Sequence, residues 1–374
     1  QEPQGVEKYP SSYRPVAMFE PSVTLASGHK MPMLALGTWK SPPGVTGTAV
    51  KAAIQAGYRY LDCANDYNNE DEVGKALAEV FAEGTVKRED LFIQAKLWNT
   101  NHRPEHVRPD LMQTLKDLQV EYLDSFVIHW PQAAPSTGKA PTTRLDGAFP
   151  APEEKNSMFP INQEGYFSCD MESHYVETWH AMEKLVDEGL VRSIGLSNFN
   201  KTQIQEVVAA VKKHPVSTLQ NECHPYLQQK DLIDFCNANK ICFQAFSPLG
   251  SGDTHLAVAS SPTGVIPLQD PHVKTLAEKY GKSSAQMMLK WQIQRGVSIV
   301  AKSVNPERIR SNGELFGWEI SAEDMTSFDK LNVGWRHLLW PEVAAHPDYP
   351  FKDELPHGFK PVKAALVSSS GTAA

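Results

Sequence analysis

No stretch of this chain approaches the roughly 18 consecutive apolar residues that a membrane-crossing helix requires, so no spanning helix is expected. A dense Lys/Arg run is also missing, and a formal net charge of −8 leaves no electrostatic footprint for nucleic acid. Cysteine is scarce: Cys63, Cys169, Cys223, Cys236 and Cys242 are scattered, odd in number and without a CxxC pair. That distribution fits buried thiols in a reducing compartment and offers neither a disulfide framework nor a zinc site, so no metal is expected. There is no strand–GxGxxG–helix unit, because Gly250-Ser251-Gly252 lacks the third glycine and the context. A Rossmann dinucleotide site is thereby disfavoured. The polar, proline-bearing stretch 1–21 reads as an N-terminal extension and resembles neither a signal nor a transit peptide. A start at Gln1 implies processing or trimming; a cytoplasmic location is the expectation, with secretion after signal-peptide removal left open.

What the chain does have is a rhythm. With 41% hydrophobic residues it can build a sizeable core. Strand-like runs fall at Met33–Trp39, Tyr58–Ala64, Leu91–Leu97, Leu123–Trp130, Val191–Ser197, Thr218–Glu222, Ile241–Phe246 and Ser298–Ser303. Amphipathic helices are predicted over Thr48–Ala56, Asp71–Phe81, Arg108–Leu118, Glu172–Glu188, Thr202–Lys213, Lys230–Ala238, Pro271–Arg295 (broken near Gly281) and Pro306–Asn312. Eight strand-then-helix units predict an α/β protein with a parallel sheet closed into a (β/α)8 TIM barrel, carrying long loops on its C-terminal face. No linker divides it, so a single domain is expected over 22–355, followed by a tail over 356–374. Residues 131–170, rich in Pro, Ala, Ser and Thr, form a long connection after the fourth strand. In a barrel that loop overhangs the site, although a solvated insertion touching nothing is the alternative.

Four polar residues close or follow successive apolar runs: Asp62, Tyr67, Lys96 and His129. A carbonyl that accepts hydride becomes an alkoxide, so its site must supply a proton and stabilise charge. Tyrosine is a weak acid, with a pKa of about 10, and a neighbouring ammonium favours its phenolate. Tyr67 is therefore expected as the proton donor, Lys96 as its tuner, Asp62 as the anchor of Lys96, and His129 as the group orienting the carbonyl. Each alone reads as readily as a cap or a satisfied core residue; the set of four at consecutive strand ends is what points to chemistry.

Their surroundings resemble the aldo-keto reductases, in the pattern of the aldose and aldehyde reductase branch, from about Val23 to Phe351. The likeness rests on Gly57-Tyr58-Arg59-Tyr60-Leu61-Asp62-Cys63-Ala64 with Tyr67 and Glu70-Asp71-Glu72-Val73-Gly74, on Lys96-Leu97-Trp98, and on Val127-Ile128-His129-Trp130-Pro131. It continues through Gly195-Leu196-Ser197-Asn198-Phe199, Gln220-Asn221-Glu222-Cys223-His224-Pro225-Tyr226, Ser247-Pro248-Leu249-Gly250-Ser251 and Lys302-Ser303-Val304. The resemblance implies NADPH/NADP+ laid across the barrel mouth, a small-molecule carbonyl substrate and a monomer. It places Ser197, Asn198 and Gln220 on the carboxamide and the ring of Phe246 on the nicotinamide. Lys302, Ser303, Arg308 and Asn312 fall at the adenosine end, and Thr38, Trp39, Ser247, Leu249, Ser251 and Val304 along the cofactor path. Lys302 and Arg308 beside a helix start also suit a phosphate on physical grounds.

Trp39, Trp98, Trp130 and Trp335 fall where the family lines its substrate pocket with aromatic rings, core packing being the alternative. Several positions depart from the family pattern: Phe246 stands for the usual Tyr, Ala301 for a frequent Pro, Ser311 for an acidic residue, and Tyr60 is larger than usual. The aldose reductase tryptophan after the seventh strand has no match, Leu256 being nearest. No Lys or Arg occurs between Arg336 and Lys352, leaving Lys139, Arg144 and Lys155 as candidate substitutes for a carboxylate anchor. The long connection suits a reshaped pocket for sugar-derived or acidic aldehydes. Two other readings compete: a non-catalytic cofactor-sensing or structural protein on the same fold, and a barrel glycosidase or metal hydrolase. For the last, Glu222 is an available carboxylate without a convincing partner.

Overall fold

A computed structural model describes residues 21–136, 158–251 and 261–360. All eight expected barrel strands form: β3 (Leu34–Gly37), β4 (Tyr60–Asp62), β5 (Phe92–Leu97), β6 (Ser125–Ile128), β7 (Ile194–Ser197), β8 (Val216–Glu222), β9 (Cys242–Phe246) and β10 (Ser298–Lys302). They pair in parallel and close in the order β10-β3-β4-β5-β6-β7-β8-β9. Most are shorter than the apolar runs that announced them, whose ends continue as isolated bridges, such as Leu123–Val191, or into the cavity wall, as at Trp39 and Trp130. Two further strands, β1 (Ser22–Thr24) and β2 (Lys30–Pro32), were not anticipated; they make an antiparallel hairpin. Met31 of that hairpin packs with Ala35, Tyr60 and Phe92.

The helices follow the expected register, running Thr46–Gln55, Glu70–Ala82, Pro104–Leu118, Tyr175–Asp187, Lys201–Ala210, Lys230–Ala238, Pro271–Tyr280, Ser284–Gln294 and Pro306–Gly313. The break in the long 271–295 pattern has an evident cause. Gly281 takes a positive φ of 60°, and Ser283 with Gln286 then forms a capping box for the second helix. A short helix at Ala322–Ser327 went unforeseen because its apolar face is small. At Gly195 a Cβ would lie 2.1 Å from Thr218 Oγ1, where the β7–β8 register shifts, so only glycine lets those strands approach.

Apolar helix faces pack around the outside of the sheet in one large core. Inside the barrel the layer beneath the site is polar. Gln94, Gln220 and Gln244, from β5, β8 and β9, point inward and bond one another: the Gln94 and Gln220 amide nitrogens donate to Gln244 Oε1 at 3.2 and 3.1 Å. Ser125 Oγ donates to Gln94 Oε1 at 2.9 Å, and Gln244 Nε2 to the Tyr60 hydroxyl at 2.9 Å. The enlarged Tyr60 thus belongs to this network.

Beyond β10 the chain returns across the barrel's C-terminal face. Glu222, fully buried at the end of β8, accepts the backbone N–H groups of His337 at 2.6 Å and Leu338 at 2.8 Å. Arg336 pairs bidentately with Glu354, at 2.8 and 2.9 Å. Of the long connection, 131–136 and 158–170 are described, and they contact the site. Residues 137–157, which hold Lys139, Arg144 and Lys155, lie outside the described residues, as do Leu256, the extension before Pro21 and the tail beyond Lys360.

Candidate active site

Parallel pairing of β4 with β5 sets Asp62 opposite Gln94 and brings Lys96 alongside. Lys96 Nζ donates to Asp62 Oδ2 at 2.7 Å and to the Cys63 carbonyl at 3.0 Å. Asp62 Oδ1 accepts from Gln94 Nε2 at 2.8 Å and Gln220 Nε2 at 2.9 Å. Both side chains are almost wholly enclosed, at 0% and 3% exposure. An enclosed ion pair offsets its desolvation only when its remaining lone pairs and protons find partners, and the glutamine layer supplies those for Asp62.

Tyr67 sits on a 3-10 turn, Asn65–Tyr67, directly after β4. The turn is pinned from below: Asn65 Nδ2 donates to Asp110 Oδ1 at 2.7 Å, and Asn101 Nδ2 donates to the same oxygen at 2.7 Å. Burial pushes the Asp110 carboxyl up to about 8, against the opposing effect of those two amides. Lys96 Nζ lies 4.9 Å from the Tyr67 ring centroid. The net pKa of Tyr67 is nonetheless raised. Burial first, then the charges of Asp62 and Asp66, push the phenol well above its usual value, while the ammonium is engaged by Asp62.

His129 follows β6, its ring edge-on to Tyr67 at 5.8 Å and to Trp98 at 5.2 Å. Its carbonyl accepts from Asn198 Nδ2 at 2.9 Å. Its Nδ1 lies 3.1 Å from Asp66 Oδ1; the angle falls short of a good hydrogen bond, and neither atom has another partner. Asp66 was not singled out in the sequence.

Asp62, Asp66, Tyr67 and His129 line one end of a cavity of about 580 Å³, with Lys96 enclosed behind Asp62. At the other end are Lys302, Ser303, Val304 and Arg308, with Phe246, Ser247, Leu249 and Ser251 between. The wall holds unusual backbone: Lys40, Asn198, Ser247, Ser251 and Trp340 all line the cavity with positive φ, between 47° and 61°. Such conformations cost roughly 1–3 kcal/mol each and gather where a binding surface needs them.

The residues fit an NADPH-like group. Asn198 Oδ1 is buried without a partner, an acceptor suited to a carboxamide NH2. The Phe246 ring offers an apolar face, and Asn305 caps the Pro306–Gly313 helix beside Lys302 and Arg308, a start suited to phosphate. Of the expected cofactor residues, Thr38, Ser197, Gln220 and Asn312 do not line the cavity. Thr38 Oγ1 donates to the Asp62 carbonyl at 2.9 Å, Ser197 Oγ accepts from Asn198 at 3.2 Å, and the Gln220 amide nitrogen is held by Asp62. Those three brace the site from behind; Asn312 is buried on the helix that carries Arg308.

Three of the four expected pocket tryptophans, Trp39, Trp98 and Trp130, line the cavity. Trp335 does not. Its backbone N–H is fixed to the Tyr226 carbonyl at 3.1 Å, and its ring packs on His224 and Tyr226 beneath the C-terminal segment. Glu222 then takes the N–H groups of His337 and Leu338, and it is Leu338 and Trp340 that face the cavity instead. Trp340 stacks on Trp98 at 5.8 Å and meets Trp130 edge-on at 5.3 Å. Its place in the apolar run Leu338-Leu339-Trp340-Pro341 was the available signal.

Comparison with known proteins accords with this geometry. The pattern of the aldo/keto reductase family matches residues 33–333. The chain belongs to the aldo/keto reductase family. It is 45% identical over 342 residues to the mouse (Mus musculus) aldo-keto reductase family 1 member A1, covering 89% of this chain and 98% of that one. Identity to the human (Homo sapiens) protein of the same name is 44% over 341 residues, covering 88% and 98%. An aldose reductase structure from Schistosoma japonicum superposes with a TM-score of 0.78 at 37% identity, covering 90% of this chain and all of the other. As an aldo-keto reductase the protein is an oxidoreductase acting on carbonyl groups, built on a (β/α)8 barrel. No helix among the described residues is long and apolar enough to cross a membrane.

Proposed function

We propose that this aldo-keto reductase is NADPH-dependent and reduces aldehydes and ketones to alcohols, with Tyr67 giving the proton. The observation carrying this reading is one cavity with two ends: Tyr67, His129 and Asp62, with Lys96 bonded behind it, meet at one, and Lys302 and Arg308 at the other. Bound NADPH supplies the hydride. Asn198 would orient the carboxamide through its unpartnered Oδ1, Phe246 would support the ring, and Lys302, Ser303 and Arg308 would hold the 2′-phosphate end.

His129 orients the substrate carbonyl towards Tyr67. Burial keeps the phenol protonated through neutral pH, so the acid is present when an alkoxide develops. An alkoxide is far more basic than a phenolate, and transfer stays favourable despite the raised pKa. Lys96, fixed 4.9 Å from the ring, stabilises the phenolate left behind, and Asp62 keeps that ammonium in place. The aromatic wall of Trp39, Trp98, Trp130 and Trp340 excludes water from the exchange.

The test follows NADPH oxidation by its near-ultraviolet absorbance, against an aromatic aldehyde, a neutral sugar aldehyde and an acidic sugar aldehyde, repeated with NADH. NADPH-selective turnover is expected. Tight NADPH binding without turnover of any substrate would overturn the assignment in favour of a cofactor-sensing role.

A further inference from the structure

The mechanism leaves the carboxyl group of Asp66 without a task. Asp66 lines the catalytic cavity beside Tyr67, on the turn after β4, with its side chain only 8% exposed. Its Oδ1 makes no hydrogen bond; the nearest cation-forming atom is His129 Nδ1, 3.1 Å away and poorly aligned. Leaving a carboxylate oxygen enclosed and unpaired is costly, and such a group persists where something else completes it. Its neighbours do not. Lys96 is taken by Asp62 and the Cys63 carbonyl. Of the cations lining the cavity, Lys302 and Arg308 follow β10 on the cofactor side, and Lys40, after β3, lies 4.5 Å from the Trp39 ring centroid.

Aromatic rings line the same cavity as Asp66. Trp98 lies 5.2 Å from His129, and Trp340 stacks on Trp98. Aromatic faces attract cations through their quadrupole, most strongly for tryptophan, and a desolvated carboxylate beside them adds a full opposite charge. Together they have the chemistry of an ammonium site. The same carboxylate disfavours an anionic substrate, which would bring a second negative charge into a water-poor cavity.

Resting on the reductase reading above, we propose that Asp66 is a specificity-determining residue that makes this pocket select carbonyl compounds bearing an ammonium group and disfavour carboxylates. No bond is made or broken by Asp66; it acts on binding alone. The selection therefore appears in KM and kcat/KM, and screening makes it weaken as salt is added.

The test uses three unbranched aldehydes of equal chain length, ending in trimethylammonium, in tert-butyl (its neutral isostere) and in carboxylate. For the unmodified protein, kcat/KM is expected to fall in that order, by about tenfold or more from the first to the last. Because Asp66 adjoins His129, the readout is the ratio between substrates, which a uniform loss of activity does not move. Asp66→Asn and Asp66→Val should collapse the ammonium-to-neutral ratio towards unity, and Asp66→Glu should restore part of it. A second arm measures binding of the corresponding alcohols by quenching of tryptophan fluorescence, which needs no turnover. Charge-ranked binding without turnover would sink the reductase reading and sustain the Asp66 inference. Turnover of all three with no charge ranking, a preference for the carboxylate, or ratios unchanged in Asp66→Asn would overturn the inference and leave the reductase reading standing.

Discussion

The floor of the cavity and its wall are built on opposite principles. On the floor, Asp62, Lys96 and the three glutamines come from two strand pairs, β4–β5 and β8–β9, and are joined by hydrogen bonds of 2.7–3.2 Å. The wall combines rings from the 98–130 region, the 158–167 segment and the C-terminal return. Its contacts are between ring centroids 5.0–6.3 Å apart. It is tied down at a few points, such as Trp98 Nε1 to the Met158 carbonyl at 2.6 Å and the Tyr349 hydroxyl to the Leu339 carbonyl at 2.6 Å. Hydrogen bonds are directional and fix the reacting groups within narrow limits. Ring contacts constrain shape and tolerate small shifts. The placement of the reacting groups and the shape of the aromatic wall therefore rest on separable parts of the molecule.

That separation can be broken from either side. The largest effect is expected from Tyr67→Phe, which leaves every hydrogen bond of the floor in place while removing the proton donor. Reduction should fall by roughly 10²–10⁴-fold or more, with NADPH affinity retained in a fluorescence titration. Normal turnover in this variant would mean that another group is the acid. Lys96→Met attacks the floor itself by leaving Asp62 enclosed without its cation, a change that typically costs about 3–5 kcal/mol. Urea unfolding should report that loss, and a midpoint like that of the unmodified chain would show that the pair is not structural.

Trp340→Ala acts only on the wall. KM for a bulky aromatic aldehyde should rise about tenfold, from lost ring contacts worth about 0.5–1.5 kcal/mol and lost burial, while kcat for a small aldehyde changes little. A fall confined to kcat would show that the wall takes part in the chemistry. The smallest effect concerns the latch. Burial raises the Glu222 pKa, but the His224 hydrogen bond and charge, the Arg336 charge and the His337 N–H outweigh it and hold the carboxyl below its usual value. A folded pKa below the unfolded one means stability that is present above the ordinary carboxylate pKa and lost as pH falls through the lower folded value. Glu222→Gln should lower the neutral-pH stability by about 1–3 kcal/mol and flatten this acid dependence, measured as thermal midpoints from neutral pH downward.

The barrel was legible because each strand is an apolar run and each helix an amphipathic one, and because the tetrad sits at strand ends whose order the topology preserves. The floor was only half legible. Gln220 was assigned to the carboxamide, yet it bonds Gln244, which also accepts from Gln94, and all three are equally buried polar residues in strands. Three glutamines at inward positions of β5, β8 and β9 were the overlooked sign of an internal network. The wall was least legible, since which tryptophan of the C-terminal return faces inward depends on where Glu222 catches the chain. Trp335 and Trp340 are equivalent in composition and differ only in that register. Asp66 was hidden by its place beside Tyr67, where nothing local distinguishes a pocket carboxylate from a turn residue.

The return of the C-terminal segment over the barrel also sets an order of completion. The last barrel strand ends at Lys302, but Leu338, Trp340 and the Tyr349–Phe351 stretch that finish the wall come later in the chain. As the polypeptide leaves the ribosome, the sheet and its four reacting groups are all translated before the residues that shape what they act on. The wall over the reacting groups is thus finished by the last stretch of the chain to be made, although Trp39, Trp98 and Trp130 are in place before it.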